Sequence, residues 1–228
     1  MTYLLHIDTS ADIGTVAISC DGKIVSEKTN SNNRDYASLL NVMINEALKN
    51  TKITMQELDA IVVCGGPGSY TGLRISLATA KGLCYVLEKK LLLNNKLDLL
   101  TYQQLCKYHD AYEIYFSILN ARDKEYFVAA YDNKFNAIIK PVHFHIEELQ
   151  KTIETMQGSI LVTGEISPDV KELFKIKDTR FFNDNNIDLT SWAMYAYEQY
   201  KCNSFVNLWN AEPFYLKSFF TNKSLKTK

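Results

Sequence analysis

The sequence predicts an α/β protein in which mixed sheets are flanked by helices. The chain opens with a short apolar strand and continues into two further strands joined by Asp21-Gly22, a two-residue hairpin signal. After this hairpin, segments with strand and helix patterns alternate, which is the order expected when helices cover a sheet. With 228 residues, of which 46% are hydrophobic, the chain can bury a substantial core.

The first half of the chain contains five predicted strands and two long helices. In both helices apolar residues recur at helical spacing, and Asp35 can cap the first of them. In chain order the predicted elements are strands 3–8, 14–20 and 23–28, helix 35–49, strand 59–64, a glycine-rich loop 65–72, helix 73–88 and strand 91–93.

The second half is predicted to repeat the mixture of strands and helices. Its predicted elements are helix 99–108, strands 113–119, 125–131 and 137–141, helix 146–156, strand 159–163 and helical segments near residues 169 and 191. No linker rich in Pro, Gly or Ser separates the halves. We therefore expect two domains in close contact, residues 1–98 and 99–228.

Composition excludes several classes of function. The 25 basic and 26 acidic residues nearly cancel, so no global field draws the chain to nucleic acid or to a membrane surface. No apolar run of about 18 residues is present, and the first residues do not resemble a signal peptide. We expect a cytoplasmic protein whose five widely spaced cysteines are reduced thiols.

The glycine-rich loop is the most distinctive segment of the sequence. It lies between an apolar strand and a helix, where backbone N–H groups can converge on an anion, so a phosphate cradle is one interpretation. The other is a structural turn that packs the helix on the strand. A Walker-type phosphate loop is excluded, because Leu73 and Arg74 follow Gly72 where that loop needs Lys and Ser or Thr.

Four segments carry a resemblance to the TsaB (YeaZ) family that spans nearly the whole chain. The longest is residues 66–75 with its continuation 78–83. In order of position, the four are Ile7-Asp8-Thr9-Ser10, Gly66 to Ile75 with Ala78 to Leu83, Asn120-Ala121-Arg122 with Glu125-Tyr126, and Glu212 to Lys217. The chain departs from the family pattern near residues 34–38, where a His is frequent, at Asn120, where Asp is usual, and at Lys217, where Arg is usual.

The resemblance implies an actin-like fold, of the ribonuclease H-like (ASKHA) type, with two domains. It also implies a non-catalytic subunit of tRNA threonylcarbamoyladenosine formation, which binds the catalytic subunit TsaD and works with the ATPase TsaE. On this interpretation the chain has no activity and no cofactor of its own, and ATP and metal belong to its partners. It forms a homodimer when alone and meets tRNA only through the complex.

The candidate site residues form a vestigial phosphate loop or a structural motif. They are Asp8, Thr9, Ser10, Gly66, Pro67, Gly68, Ser69, Tyr70, Thr71, Gly72 and Arg74. In actin-like kinases a carboxylate at the end of the first strand helps to hold a magnesium-bound phosphate. Thr9 and Ser10 can equally hydrogen-bond the backbone of a turn. For Asp8 a structural role is favoured, since the resemblance implies a family that does not catalyse on its own.

The two long helices of the first half are the predicted surface for a partner. The candidate interface residues are Leu40, Met43, Ala47, Leu77, Ala78, Lys81 and Gly82. The alternative is that all of them face the protein's own sheet. A self-complementary patch of small and apolar side chains would suit two-fold pairing and, in turn, a related partner.

Catalytic and metal-binding residues are not predicted. No two of the four histidines have the i, i+4 spacing that places both on one helix face, and TsaD carries such a His-x-x-x-His pair. The alternative function is a small actin-like, ATP-dependent acyl or sugar kinase. Such a kinase needs a second phosphate loop, for which Thr163-Gly164-Glu165 is the candidate.

Overall fold

The computed structural model describes residues 1–31 and 36–215 of the chain. These residues form two five-stranded mixed sheets with helices packed on them. The predicted α/β fold class is confirmed. The predicted cap at Asp35 and the end of the chain from residue 216 lie outside the described residues.

The first sheet has the strand order β3-β2-β1-β4-β5. Strand β1 pairs antiparallel with β2 and parallel with β4, and β4 pairs parallel with β5, so the hairpin forms one side of the sheet. Its strands are β1 (Tyr3–Asp8), β2 (Gly14–Cys20), β3 (Lys23–Asn30), β4 (Ala60–Cys64) and β5 (Lys90–Asn94).

Two helices cover one face of the first sheet. Helix α1 (Tyr36–Thr51) contacts β2 and β3, and helix α2 (Tyr70–Leu87) contacts β4. A short 3-10 helix, Met55–Glu57, connects α1 to β4. The apolar stripes of both helices join the strands in one buried core, because leucine, isoleucine and alanine side chains recur there every three to four residues.

The second sheet has the order β10-β9-β6-β7-β8. Its strands are β6 (Ile114–Arg122), β7 (Glu125–Asp132), β8 (Ala137–His145), β9 (Ile160–Gly164) and β10 (Thr179–Phe182). Helices α4 (Ile146–Thr155) and α5 (Pro168–Leu173) contribute to the core on one face of this sheet.

The two remaining helices connect the sheets. Helix α3 (Lys96–Tyr108) contacts β6, β7 and β9 of the second sheet, and it packs against α6 (Leu189–Lys201). Helix α6 in turn contacts β1, β3 and β5 of the first sheet, with Trp192 fully buried there. A division at residue 98 stays a prediction, and the structure shows that the chain returns to the first sheet after residue 189.

Two helices begin three residues before their predicted starts, for local reasons, and one strand was not predicted. Helix α2 begins at Tyr70 rather than 73, because the Ser69 hydroxyl caps it by accepting the Gly72 N–H. Helix α3 begins at Lys96 rather than 99, since the Asn95 side chain accepts the N–H of Leu97. Strand β10 was not predicted: it is only four residues long and has no buried position.

Candidate functional site

The glycine motif packs the start of α2 directly against the turn that follows β1. A Cβ atom on Gly68 would lie 2.4 Å from the Ser10 carbonyl oxygen, and one on Gly72 would lie 1.8 Å from the Thr9 carbonyl oxygen. Neither distance is possible between real atoms, so both positions need glycine for close approach rather than for an unusual φ. The Ser69 N–H donates to the Ser10 carbonyl at 2.8 Å. Contacts between backbone atoms therefore hold the start of α2 against the turn after β1.

The turn after β1 uses its polar side chains within the protein. Asp8 is 7% exposed, and its carboxylate accepts the backbone N–H of Ser10 at 2.8 Å. The Thr9 hydroxyl donates to the Gly72 carbonyl at 2.6 Å, which ties the turn to α2. These contacts give Asp8 and Thr9 partners within the protein, and the structural role of Asp8 stays a prediction.

The last described residues of the chain, Phe214 and Tyr215, contact both ends of the glycine motif. The Phe214 N–H donates to the Gly65 carbonyl, and a Cβ on Gly65 would lie 2.9 Å from the Phe214 ring. Arg74 donates through Nε to the Tyr215 hydroxyl at 3.1 Å, which raises the pKa of the guanidinium. Its guanidinium also lies 4.3 Å from the centre of the Tyr70 ring. Two segments of the family resemblance thus meet at α2, where Arg74 and Tyr215 are 141 positions apart in the sequence.

A cleft of about 530 Å³ opens beside this motif, between the two sheets. Pro67, Gly68 and Ser69 line one wall, and Asn120 lies on the opposite wall with Glu165. The Glu165 carboxylate accepts the Asn120 N–H at 2.9 Å and an N–H of the Asn185 amide at 2.8 Å. Of the eleven predicted site residues, four line this cleft, namely Ser10, Pro67, Gly68 and Ser69, and the other seven do not.

Lys96 lies at this cleft and was not among the predicted site residues. It is the first residue of α3, is 5% exposed, and lines both the cleft and an adjoining cavity of about 270 Å³. Burial and the charge of Asp8 raise the pKa of the nearby Cys64 thiol to about 12, and the charge of Lys96 acts in the opposite direction. The feature of the sequence that could have pointed to Lys96 is Asn95, a helix-capping residue that places the start of α3 directly after β5.

The candidate kinase loop Thr163-Gly164-Glu165 has a structural explanation. Gly164 has φ +119°, and a Cβ there would lie 2.0 Å from the carbonyl oxygen of Ile118 in β6. The Glu165 N–H donates to that same carbonyl at 2.9 Å. The glycine is needed for packing between β9 and β6, so it is not evidence of a phosphate loop.

Four of the seven predicted interface residues face the protein's own core, and that part of the prediction is wrong. Leu40, Met43, Ala47 and Leu77 are at most 8% exposed and pack with the strands of the first sheet. The reason is that each helix has one apolar stripe, and the sheet already covers it. These side chains are not available to a partner.

The other three predicted interface residues lie away from the core. Ala78 and Gly82 are exposed, and a Cβ on Gly82 would have no neighbour within 4 Å. Lys81 has an internal role, because its ammonium donates to the carbonyl oxygens of Trp209 and Ala211, both at 3.2 Å. Whether Ala78, Lys81 and Gly82 contact a partner stays a prediction.

Further along α2 the exposed face becomes apolar. Tyr85 is 64% exposed and Val86 is 77% exposed. Trp209, which is 72% exposed, lies against Tyr85 with the ring centres 5.6 Å apart. We call Ala78, Gly82, Tyr85, Val86 and Trp209 the α2 face. Large apolar side chains that are exposed together are typical of a surface that another molecule covers.

Two histidines of β8 lie next to the same carboxylate, that of Glu125. His143 and His145 point to the same side of the strand, and their Nε2 atoms lie 3.1 and 3.4 Å from the two oxygens of Glu125. In residues 1–31 and 36–215, no group of three or more ligand-type side chains is arranged to hold a metal ion. The same residues contain no helix long and apolar enough to cross a membrane.

Comparison with known proteins agrees with this architecture. A family model described as TsaD: tRNA N6-adenosine threonylcarbamoyltransferase matches residues 23–174. A protein from Pseudomonas aeruginosa, described as uncharacterized with similarity to peptidase YEAZ, has a TM-score of 0.73 at 19% identity; the match covers 95% of this chain and all of that one. This likeness shows a shared fold.

Curated relatives carry two names from the same modification. A tRNA N6-adenosine threonylcarbamoyltransferase from Bartonella bacilliformis is 40% identical over 65 residues, which cover 28% of this chain and 18% of that protein. A tRNA threonylcarbamoyladenosine biosynthesis protein TsaB from Buchnera aphidicola subsp. Schizaphis graminum is 33% identical over 85 residues, covering 37% and 40%. The chain matches less than half the length of these relatives.

The family model matches more than half of the chain, TsaB proteins are among the relatives, and the fold is that of YeaZ. The chain therefore belongs to the family of the TsaD model, as a member of the TsaB (YeaZ) type with a two-domain actin-like fold.

Proposed function

We propose that this chain is a non-catalytic subunit of tRNA threonylcarbamoyladenosine synthesis that binds and supports a TsaD-like catalytic subunit. The observation that carries the proposal is the α2 face, which is apolar and exposed on a chain whose relatives are named for this modification. A TsaE-like ATPase works with the two subunits. This role places the chain in the cytoplasm, where tRNA is modified.

Gly82 supports the use of the α2 face as an interface. A glycine in the middle of a helix destabilises it by about 1 kcal/mol relative to alanine. No contact within the chain requires a glycine at this position, because nothing lies within 4 Å of where its Cβ would be. A partner helix that approaches the backbone closely at Ala78 and Gly82 would give this glycine a function.

The same face suits a homodimer of the free chain. A two-fold interface brings the same patch of each copy together, so one apolar patch is covered twice. Binding the catalytic subunit would then replace one copy by an actin-like partner of similar shape. The chain meets tRNA only within that assembly, since its 25 basic and 26 acidic residues give it no general attraction for RNA.

The chemistry of the modification belongs to the partners in this proposal. The sequence has no pair of histidines at i, i+4 spacing and no Walker lysine after Gly72. The second kinase loop is explained by the contact of Gly164 with Ile118. ATP and metal are accordingly assigned to the partner subunits, and the acyl or sugar kinase alternative has no specific observation in its favour.

A charge at the centre of the α2 face tests the proposal. We expect Ala78→Glu to dissociate the homodimer and to weaken binding to a TsaD-like catalytic subunit at least tenfold, because an unpaired carboxylate would be buried in the interface. The matched control is Ala137→Glu, an exposed alanine at the start of β8. Sizing, pull-down and titration calorimetry measure the effect.

Two results would contradict the proposal. One is a folded Ala78→Glu variant that dimerises and binds the catalytic subunit like wild type. The other is robust threonylcarbamoyl transfer or ATP hydrolysis by the isolated chain. We expect modification of tRNA to appear only when the chain is combined with the TsaD-like and TsaE-like subunits, and to be lost with Ala78→Glu.

A further inference from the structure

A cavity of about 290 Å³ lies between strand β5, helices α3 and α6, and strand β8. It shares no lining residue with the larger cleft beside the glycine motif. Leu93, Pro141, Tyr195 and Phe214 give it an apolar part of the wall. Among the described residues that line it, Asp98 is the only charged one. The cavity is therefore a partly apolar space with a single negative charge.

The carboxylate of Asp98 is satisfied on one side only. It lies half-buried in the first turn of α3, and the Tyr131 hydroxyl donates to its Oδ1. Within residues 1–31 and 36–215, its Oδ2 accepts no hydrogen bond, and neither oxygen has an ion-pair partner within 4 Å. Charges removed from water are normally paired. One oxygen is thus available to a ligand in the cavity.

The pKa of Asp98 agrees with a carboxylate that has no cation beside it. Burial raises this pKa to about 6, and the hydrogen bond from Tyr131 acts in the opposite direction. No lysine or arginine in the described part of the chain contributes to the pKa. Since neutral pH is above a pKa of about 6, most copies of the protein carry the negative charge. A cation that enters the cavity would stabilise it.

The other polar side chains of the cavity are bonded within the protein. The Asn94 amide accepts the indole N–H of Trp192 at 2.8 Å and donates to the amide oxygen of Gln199. The Asn95 side chain caps α3. These bonds hold the wall in place without a ligand. The cavity is therefore preformed, and the free acceptor that carries a charge is Asp98.

We propose that this cavity binds a small organic ammonium ion, whose positive group is held by Asp98 and whose carbon skeleton packs against Tyr195 and Phe214. A protonated amine can donate to the free carboxylate oxygen, and aromatic rings attract cations. The inference goes beyond the proposed function, which requires no ligand on this chain.

The size and the ligand groups of the cavity favour an organic cation over a metal ion. Mg²⁺ and Ca²⁺ need several oxygen ligands, and Asp98 is the only carboxylate among the described lining residues. About 290 Å³ is at the lower end of the range for sites that hold small organic molecules, so a compact amine fits best.

Titration of the full chain with a matched pair of probes tests the proposal. Benzylamine is a cation at neutral pH, and benzyl alcohol has the same carbon skeleton without the charge. We expect benzylamine to bind saturably in calorimetry at millimolar concentration. Benzyl alcohol should bind at least tenfold more weakly, because a hydrogen bond to a charged group is worth about a factor of ten or more. Potassium chloride is the third probe and should not displace benzylamine.

Substitution of the carboxylate assigns the binding to this cavity. Asp98→Asn keeps the shape of the side chain and an acceptor for Tyr131 but removes the charge, so benzylamine should bind at least tenfold more weakly. The matched control is Asp110→Asn, an exposed aspartate beyond the other end of α3, which should bind like wild type. Asp98→Asn should also bind the TsaD-like subunit normally, so the inference and the proposed function fail separately.

The proposal is overturned if benzylamine does not bind wild type at millimolar concentration, if benzyl alcohol binds as tightly, or if potassium chloride at equal concentration displaces the amine. Unchanged affinity in Asp98→Asn would overturn it as well. If Asp98→Asn does not fold, the amide NMR signals of wild type locate the ligand. Those of Asp98 and Gln199 should shift when benzylamine is added, and unshifted signals would contradict binding at this cavity.

Discussion

Gly72 and Gly82 lie on the same helix and have opposite surroundings. A Cβ on Gly72 would lie 1.8 Å from the carbonyl oxygen of Thr9, whereas a Cβ on Gly82 would meet nothing within 4 Å. The first glycine allows the start of α2 to touch the turn after β1. The second glycine leaves the helix backbone accessible on the α2 face. One residue type thus has an internal function at one end of the helix and none in the middle.

The difference shows that one part of α2 stabilises the fold and another part is free to bind a partner. Its N-terminal turn is tied to Thr9, Ser10 and Tyr215 by hydrogen bonds, so it is part of the architecture. The α2 face contributes little to the core, because its apolar side chains are exposed. Substitutions at the two ends should therefore act on different quantities, the free energy of unfolding at one end and partner binding at the other.

Gly72→Ala should have the largest effect on stability. The methyl group cannot fit against a backbone carbonyl, so the turn and the helix must move apart, and we expect a loss of about 3 kcal/mol or more in the free energy of unfolding. Chemical denaturation measures this loss. A variant as stable as wild type would show that the contact with Thr9 is not tight in solution.

Leu77→Ala sharpens the assignment of the inward and outward faces. Leu77 is 5% exposed in the core of the first sheet, so its truncation should lower the free energy of unfolding by about 2–4 kcal/mol. The folded variant should still bind the TsaD-like subunit. Weaker binding without loss of stability would mean that Leu77 faces the partner after all.

Gly82→Ala should stabilise the isolated chain, unlike the two preceding substitutions. Alanine is the better helix former, and its methyl group has free space, so the free energy of unfolding of the isolated chain should rise by about 0.5–1 kcal/mol. Binding of the catalytic subunit should weaken, because the added methyl group keeps a partner helix away. Unchanged or tighter binding would contradict close approach at this position.

Tyr215→Phe should have the smallest effect of the four. It removes the hydroxyl that accepts from Arg74 Nε but keeps the ring beside Tyr70, and the contact is exposed to solvent. We expect a loss of stability in thermal or chemical unfolding that is smaller than the change in any of the other three variants, because water competes for an exposed hydrogen bond. A loss comparable with that of Gly72→Ala would mean that the end of the chain holds the glycine motif together.

Much of the fold could be predicted because local patterns were strong. The Asp21-Gly22 hairpin, the apolar strands β4 and β9 and the stripes of α1 and α2 all appear where their periodicity indicated. Strand β10 was missed because it has four residues and pairs with β9 only at one edge of the sheet. Its stability depends on the neighbouring strand rather than on its own sequence.

The candidate site was predictable in its glycines but not in its surroundings. A structural turn that packs the helix on the strand was one interpretation of the glycine-rich loop, and Gly68 and Gly72 make the close backbone contacts that such a turn needs. The same helical spacing could not separate Leu77, which is buried, from Ala78, which is exposed. Adjacent positions on a helix point about 100° apart, and only the placement of the sheet decides which of them it covers.

By itself the sequence determined the α/β class, the hairpin, the amphipathic helices and the motif between β4 and α2, because each depends on residues close together in the chain. The tertiary structure alone decided that Tyr215 contacts Arg74, that Lys96 lines the cleft and that Trp209 packs against Tyr85 on the α2 face. These contacts join residues far apart in the sequence or depend on how the two sheets face each other. No local periodicity encodes such distances, so they become visible only once the chain has folded.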